Sequence, residues 1–276
     1  MPTYSARATV LKKTKLGEAD LIITLVATDG RELRAVAKGA RKPGSRLGAR
    51  VEPFTVLEGQ FATGRSLDVV SDVRTVDTHA SLRDDYDKLL VASVAAEMLE
   101  IVAAQAQASE FLAEMSATLF DVMDACAADK ALQLLVAWML KLFAVLGYRP
   151  ILEECAICGR GVTMPAASAI PDAPVIPASP VIPGLTRDLD ERFCWSAEAG
   201  GVICATCGAG QFIPLDTYPA AALAWLRTLL GATFAEAAAY DLAPELLRDL
   251  FTLVATFAQE HFPARLKALE FYQQQG

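Results

Sequence analysis

The chain has 276 residues, 53% hydrophobic and 21% charged, with a formal net charge of −8. That length suits two or three domains at roughly 100–200 residues each, with a sizeable core. Taken as one number the charge argues against a nucleic-acid partner, but its distribution does not. Residues 1–80 hold 13 Lys+Arg and 9 Asp+Glu, net +4, while residues 81–276 carry −12. A basic head on an acidic body is an informative asymmetry.

Residues 4–12 have period-two character, and residues 20–27 are rich in β-branched residues. Asp29-Gly30 predicts a hairpin turn into Arg31–Ala37. Two more strand-like runs, Phe54–Phe61 and Leu67–Val73, flank Thr63-Gly64-Arg65. Five short strands in so few residues predict a small closed barrel, which removes exposed edges. An OB-fold and an SH3-like barrel both satisfy this pattern.

Lys38 to Arg50 holds Lys38, Arg41, Lys42, Arg46 and Arg50 and no acidic residue, and it contains Gly39, Pro43, Gly44 and Gly48. It predicts a cationic loop on a rigid sheet, suited to a polyanion because each phosphate neutralised releases counterions. An ordinary solvated loop is the competing reading.

After Val76 the pattern becomes helical: Leu82–Ala104, Glu110–Cys126 and Lys130–Leu146, the last ended by Gly147. Residues 217–235 and 244–271 read the same way, with Pro219 and Pro244 near their starts and Pro263 breaking the second. Between them, residues 165–189 repeat Pro-Val-Ile-Pro at 174–177 and 180–183 and predict an extended or disordered insertion, with a proline-rich peptide ligand for another domain as the less favoured alternative. Met1 to Arg7 lacks an apolar targeting region, and the run from Ala131 to Tyr148, with Lys141 and Gln133, suits a core helix better than a membrane span. A cytosolic protein is the expectation, in which six cysteines point to metal or core packing rather than disulfides.

Cys155-Ala156-Ile157-Cys158-Gly159 and Cys204-Ala205-Thr206-Cys207-Gly208 are matched knuckles. A two-residue gap lets both thiolates face one ion, and two knuckles supply the four sulfurs of a structural Zn²⁺ site. The 45 residues between the knuckles exceed the usual spacing, and the proline-rich insertion accounts for most of the excess. Reduced core thiols or a redox pair are the alternatives. Cys194 is a fifth candidate ligand close to the second knuckle, with a strand position between Phe193 and Trp195 the favoured reading, and Cys126 is expected as a core thiol. No nucleotide-binding loop, nucleophile elbow or histidine metal motif occurs, and His79 and His261 lack a partner motif. Asp84-Asp85 and Glu153-Glu154 are adjacent pairs whose side chains do not converge.

This order resembles the bacterial recombination mediator RecO family. The resemblance rests on Leu16-Gly17-Glu18-Ala19-Asp20-Leu21-Ile22, Ala35-Val36-Ala37-Lys38-Gly39-Ala40-Arg41, Ser45-Arg46-Leu47-Gly48 and Val51-Glu52-Pro53-Phe54. The first knuckle, Ala199-Gly200-Gly201-Val202-Ile203-Cys204 and Arg265-Leu266-Lys267-Ala268-Leu269 carry it further. The insertion between the knuckles departs from the family pattern. The implied fold class is α+β: an N-terminal five-stranded OB-fold β-barrel followed by a mostly helical domain with an inserted four-cysteine zinc module. Domain boundaries are expected at 1–78 for the barrel, 79–150 with 214–276 for the helices, and 151–213 for the zinc module.

The resemblance implies a non-enzymatic protein that binds single- and double-stranded DNA, anneals strands, and with RecR loads RecA onto strands coated by single-stranded DNA-binding protein (SSB), whose C-terminal tail it also binds. It implies DNA contacts at Lys38, Arg41, Lys42 and Arg46, with Lys12, Lys13, Lys15 and Arg50 as further candidates. As in other OB-folds, Tyr4, Phe54 and Phe61 are candidates to stack on bases, although alternating strand residues are more often core. One structural Zn²⁺ per chain would sit on Cys155, Cys158, Cys204 and Cys207, in a cytoplasmic, nucleoid-associated protein with no nucleotide or membrane partner. The alternative is a protein–protein adaptor with a structural zinc site and no direct role on DNA.

Overall fold

A computed structural model describes residues 2–105, 107, 109–163, 186–188, 192–210 and 215–275. The proline-rich stretch falls outside the described residues except at 186–188. The chain forms two compact units, Met1–Ala131 with Leu266–Gly276, and Leu132–Arg265.

The first unit opens with five strands, β1 (Thr3–Leu16), β2 (Asp20–Ala27), β3 (Glu32–Ala37), β4 (Val56–Ala62) and β5 (Asp68–Asp77). They close into a barrel in the order β1-β2-β3-β5-β4, with β4 returning to β1. All pairings are antiparallel except β3 with β5, which joins Ala35 to Asp68 and Val36 to Val69. This is the expected OB-type barrel. Its interior runs from Ala8 and Val10 through Ile23, Leu25 and Ala35 to Leu57 and Phe61, each at most 2% exposed. Burying a side chain such as Phe61 stabilises by about 1.5–3 kcal/mol. The β2–β3 turn forms as predicted: Gly30 takes φ 88, and the Asp29 carboxylate accepts from Arg31 N at 3.0 Å. A register shift between Val10 and Lys12 lets β1 continue to Leu16, beyond the run read from alternation.

Between β3 and β4 the stretch expected as a loop ends in a single helical turn, α1 (Arg46–Arg50), after Ser45. Next come α2 (Ser81–Asp84), α3 (Tyr86–Ala104) and α4 (Glu110–Ala125). The expected single helix over Leu82–Ala104 is broken at Asp85, whose extended backbone caps α3 while its side chain accepts from Lys88 N. Ser109 caps α4 in the same way, through Leu112 N.

The second unit opens with α5 (Ala131–Val145), whose residues from Leu134 to Leu140 are wholly buried. Its two polar interruptions are satisfied: Gln133 donates to Ala237 O at 2.5 Å, and Lys141 Nζ donates to Leu230 O at 2.6 Å. Burial pulls the Lys141 amine below its usual range. Two short sheets follow. One pairs β6 (Gly161–Thr163) with β7 (Thr186–Asp188); the other joins β8 (Arg192–Ser196), β9 (Gly201–Ile203) and, after α6 (Ala205–Ala209), β10 (Thr217–Pro219). The expected helix over 217–235 thus begins as a strand, continues as α7 (Ala220–Gly231) and restarts as α8 (Phe234–Ala239) behind a capping box of Thr233 and Glu236. Pro244 opens α9 (Pro244–His261), and the chain returns to the first unit as α10 (Lys267–Gln275), where Ala268 N donates to the Glu97 carboxylate at 2.7 Å. Among the described residues no helix is long and apolar enough to cross a membrane.

Candidate nucleic-acid interface and metal centre

The cationic stretch is clasped to the β1–β2 turn. Gly39 N donates to the Asp20 carboxylate at 2.7 Å, Arg41 N to Ala19 O at 2.9 Å, and Arg41 Nη1 to Gly17 O at 2.8 Å. Two residues in left-handed backbone, Gly17 at φ 58 and Gly39 at φ 68, make the tight approach possible. The clasp brings Lys38, Arg41 and Lys42 to the barrel end where β1 carries Lys13 and Lys15. Gly48 is needed on the return path, because a Cβ there would lie 2.4 Å from Ala40 O.

The eight basic candidates are not equivalent. Lys15, Lys38, Lys42 and Arg46 are exposed and form no ion pair among the described residues, and the Arg41 guanidinium meets only a carbonyl oxygen. Lys12 pairs with Glu100 at 3.2 Å and Lys13 with Glu52, while Arg50 donates to Val73 O at 3.0 Å. Such exposed ion pairs are worth about 0–1 kcal/mol, so a phosphate competes with them easily. The possible base-stacking rings are engaged elsewhere. Phe54 and Phe61 are at most 1% exposed, and Tyr4 stacks on Phe61 at 5.5 Å and donates to Asp68. Burial and the Asp68 carboxylate push the Tyr4 hydroxyl up to about 12.

The four knuckle cysteines converge. Their sulfurs lie within 4.8 Å of one another, with Cys158 and Cys204 Sγ 3.9 Å apart. A tetrahedral Zn²⁺ with Zn–S of about 2.3 Å places its sulfurs about 3.8 Å apart, so the set fits this ion. None of the six cysteines is in a disulfide. Burial alone would raise the Cys155 thiol, but amide donors at Cys204, Cys158 and Ile157 outweigh it and hold it at about 6, favouring thiolate.

The knuckles are joined through backbone. Ile151 N donates to Gly200 O at 2.9 Å, Val202 N to Ile151 O at 3.0 Å, and Ala156 N to Val202 O at 2.8 Å. The two knuckle glycines serve different ends. Gly159 takes φ 66 to complete the first turn. Gly208 lies within α6 and is required by space, since a Cβ there would sit 2.9 Å from Cys194 Sγ. Cys194 lies in β8 as expected, packed against the four-sulfur group but outside it. Cys126 caps α4, half-buried.

The histidines have partners that their sequence neighbours do not reveal. His79 is 2% exposed, with Nδ1 2.8 Å from Phe54 O and Nε2 2.8 Å from the Asp121 carboxylate. His261 Nε2 lies 2.7 Å from Ala197 O, and its ring packs on Phe257 at 4.3 Å.

With that geometry in place, two family descriptions match: Recombination protein O N terminal over residues 1–79, and Recombination protein O C terminal over residues 83–176. A Nocardioides protein named DNA repair protein RecO is 31% identical over 272 residues, covering 97% of this chain and 98% of that protein. The chain belongs to the RecO family. Proteins of the same name from Desulfitobacterium hafniense and Pelotomaculum thermopropionicum are 32% and 36% identical, over 75% and 60% of this chain and 65% and 63% of their own lengths. In this RecO-family chain the barrel falls within the first match, and the first knuckle within the second.

Proposed function

We propose that the chain is a non-enzymatic DNA-binding protein of repair and recombination, whose barrel engages single- and double-stranded DNA through its cationic end. The observation that carries this reading is the clasped loop: Lys38, Arg41, Lys42 and Arg46, with Lys15 beside them, hold positive charge that no carboxylate among the described residues neutralises. Backbone anchoring at Gly39 and Arg41 fixes where Lys38, Arg41 and Lys42 stand, and long flexible side chains suit phosphate contact without base readout. Lys12, Lys13 and Arg50 form a second rank, released from weak internal partners as DNA arrives. The family relationship and the relatives' names support a place in DNA repair. In that setting the protein anneals strands and, with RecR, loads RecA onto SSB-coated strands, holding the SSB tail as it does so, in the cytoplasm at the nucleoid.

Cys155, Cys158, Cys204 and Cys207 would hold one Zn²⁺ per chain. With four thiolates the shell is closed, so the ion supplies folding energy and no open coordination site for a reaction. The knuckle backbone holds the thiols in place through the amide donors that favour thiolate at Cys155.

The test is fluorescence anisotropy of a labelled single-stranded oligonucleotide at several salt concentrations. Binding should weaken with a slope of about 0.7 log units per log unit of salt for each phosphate neutralised. Reversal of Lys38, Arg41 and Lys42 to Glu should lower affinity by a factor on the order of a hundred or more and flatten that slope by about 2. An absence of binding at low salt, or a triple variant that binds like the parent, would remove DNA from the reading and leave the adaptor alternative.

A further inference from the structure

We propose that the cleft between the barrel and α4 docks a short basic segment with an apolar centre, supplied by a protein partner. The cleft is a cavity of about 720 Å³ within the first unit. Its floor is apolar, made by Ala8, Val26, Ala27, Val56 and the half-exposed Val76. Its outer wall is one stripe of α4, Glu110, Glu114, Ala117, Asp121 and Asp124, spaced by three and four residues so that all share a helical face. Asp77 adds a further carboxylate from the barrel, against Arg7 and His79 as the basic groups in the lining.

Three of these carboxylates already have work inside the fold. Asp121 meets His79, Asp77 accepts from His79 N at 3.0 Å, and Asp124 accepts from Leu82 N at 3.2 Å. Glu110 and Glu114 are exposed, and their carboxylates form no ion pair or hydrogen bond among the described residues. Glu110, in the first turn of α4, suits the helix dipole, but Glu114 one turn on stands beside a like charge and gains nothing comparable from α4. They stand over an apolar floor, and that combination selects the occupant. Lys or Arg meets the wall while an aliphatic side chain covers the floor. A polyanion is repelled.

The cleft also lies well away from the cationic clasp. It takes Thr9 from β1, whereas the clasp stands at Lys15, about 20 Å further along the strand at ~3.3 Å per residue. DNA at one end and a basic segment at the other can be bound together. The inference does not depend on the DNA reading.

The probe is a short fluorescein-labelled peptide of alternating lysine and leucine, titrated with the full chain by anisotropy, beside a control peptide with glutamate for lysine. The lysine peptide should bind and the control should not. Glu110→Gln with Glu114→Gln should weaken binding about tenfold, as the loss of two exposed charge pairs implies. Ala117→Arg, which sets a cation of the chain's own into the cleft, should abolish binding. Both variants should keep the parent's thermal melt and oligonucleotide affinity. Failure of the lysine peptide to bind the parent, or equal binding to parent and double variant, overturns the proposal. A rise in oligonucleotide affinity that matches the loss of peptide binding would show that overall charge is being read, and also overturns it. So does self-association of the parent at low salt that the double variant abolishes, since the occupant would then be a second copy of the chain.

Discussion

The barrel holds its shape with a continuous apolar interior, from Ala8 and Val10 through Ile23 and Leu25 to Leu57 and Phe61, closed on itself by hydrogen-bonded strands. Among the described residues the cysteine module groups a smaller buried cluster, Cys155, Ile203 and Cys204, with Phe193, Trp195 and Val202 buried on the short strands beside it. A region with so small a core does not cover the entropy of ordering its backbone by burial alone. The barrel therefore stands on hydrophobic closure, whereas the module depends on the convergence of its four thiols. The two regions should respond to different insults, and three experiments separate them.

The largest effect should come from metal removal. Structural zinc contributes about 10–16 kcal/mol of apparent binding energy in small zinc domains. Protein purified without chelator should carry about one zinc per chain. Chelation, or Cys155→Ser with Cys204→Ser, should erase amide-exchange protection over residues 151–163 and 192–210 and leave protection in β1 and β2 intact. Less than about a tenth of an equivalent of zinc would break the comparison, because the module would then stand without an ion.

Next in size is a cavity in the barrel. Phe61→Ala should cost about 3–5 kcal/mol in urea unfolding of the first unit. Bound zinc should not change. A cost below about 1 kcal/mol would mean that the barrel interior relaxes around the gap and is not the rigid closure described.

The smallest effect tests the module without touching a cysteine. A Cβ on Gly201 would lie 2.2 Å from Ile151 O, at the place where the two knuckles are joined. Gly201→Ala should therefore cost about 1–3 kcal/mol. It should appear as faster loss of zinc to a chelator, with the barrel's urea midpoint unmoved. Unchanged zinc release would show that the four sulfurs alone fix the knuckles.

Regions legible in the sequence are those governed by local rules. Strand periodicity and the Asp29-Gly30 turn reveal the barrel, and the repeated spacing reveals which four sulfurs converge. Brief features escape such rules. The single turn Arg46–Arg50 is too short for periodicity to register, and Gly48 within it argues for loop. The break between α2 and α3 has a signal in Asp85, a good capping residue inside an otherwise helical pattern. The bulge after Val10 leaves no mark, because it moves pairing without changing composition. Counting charges also treats eight cations alike. That Lys12 has Glu100 as a partner, 88 residues away, is a property of the fold. The pairing of buried His79 with exposed Asp121 is hidden for the same reason.

The seam of the barrel has a kinetic consequence. Only two residue pairs join β3 to β5, and closing them brings together positions that flank the whole of α1 and β4. The contacts that clasp Gly39 and Arg41 lie entirely within β1, β2, β3 and their connections, close in sequence. Arg50, by contrast, rests on Val73 in β5. Low sequence separation favours early formation, and sparse pairing favours early opening. The first half of the cationic stretch is thus held by contacts local in sequence, while Arg50 also rests on the strand that closes the seam. Local opening there would free Arg46 and Arg50 while Lys38 and Arg41 keep their places, dividing one basic surface into a fixed part and an adjustable part.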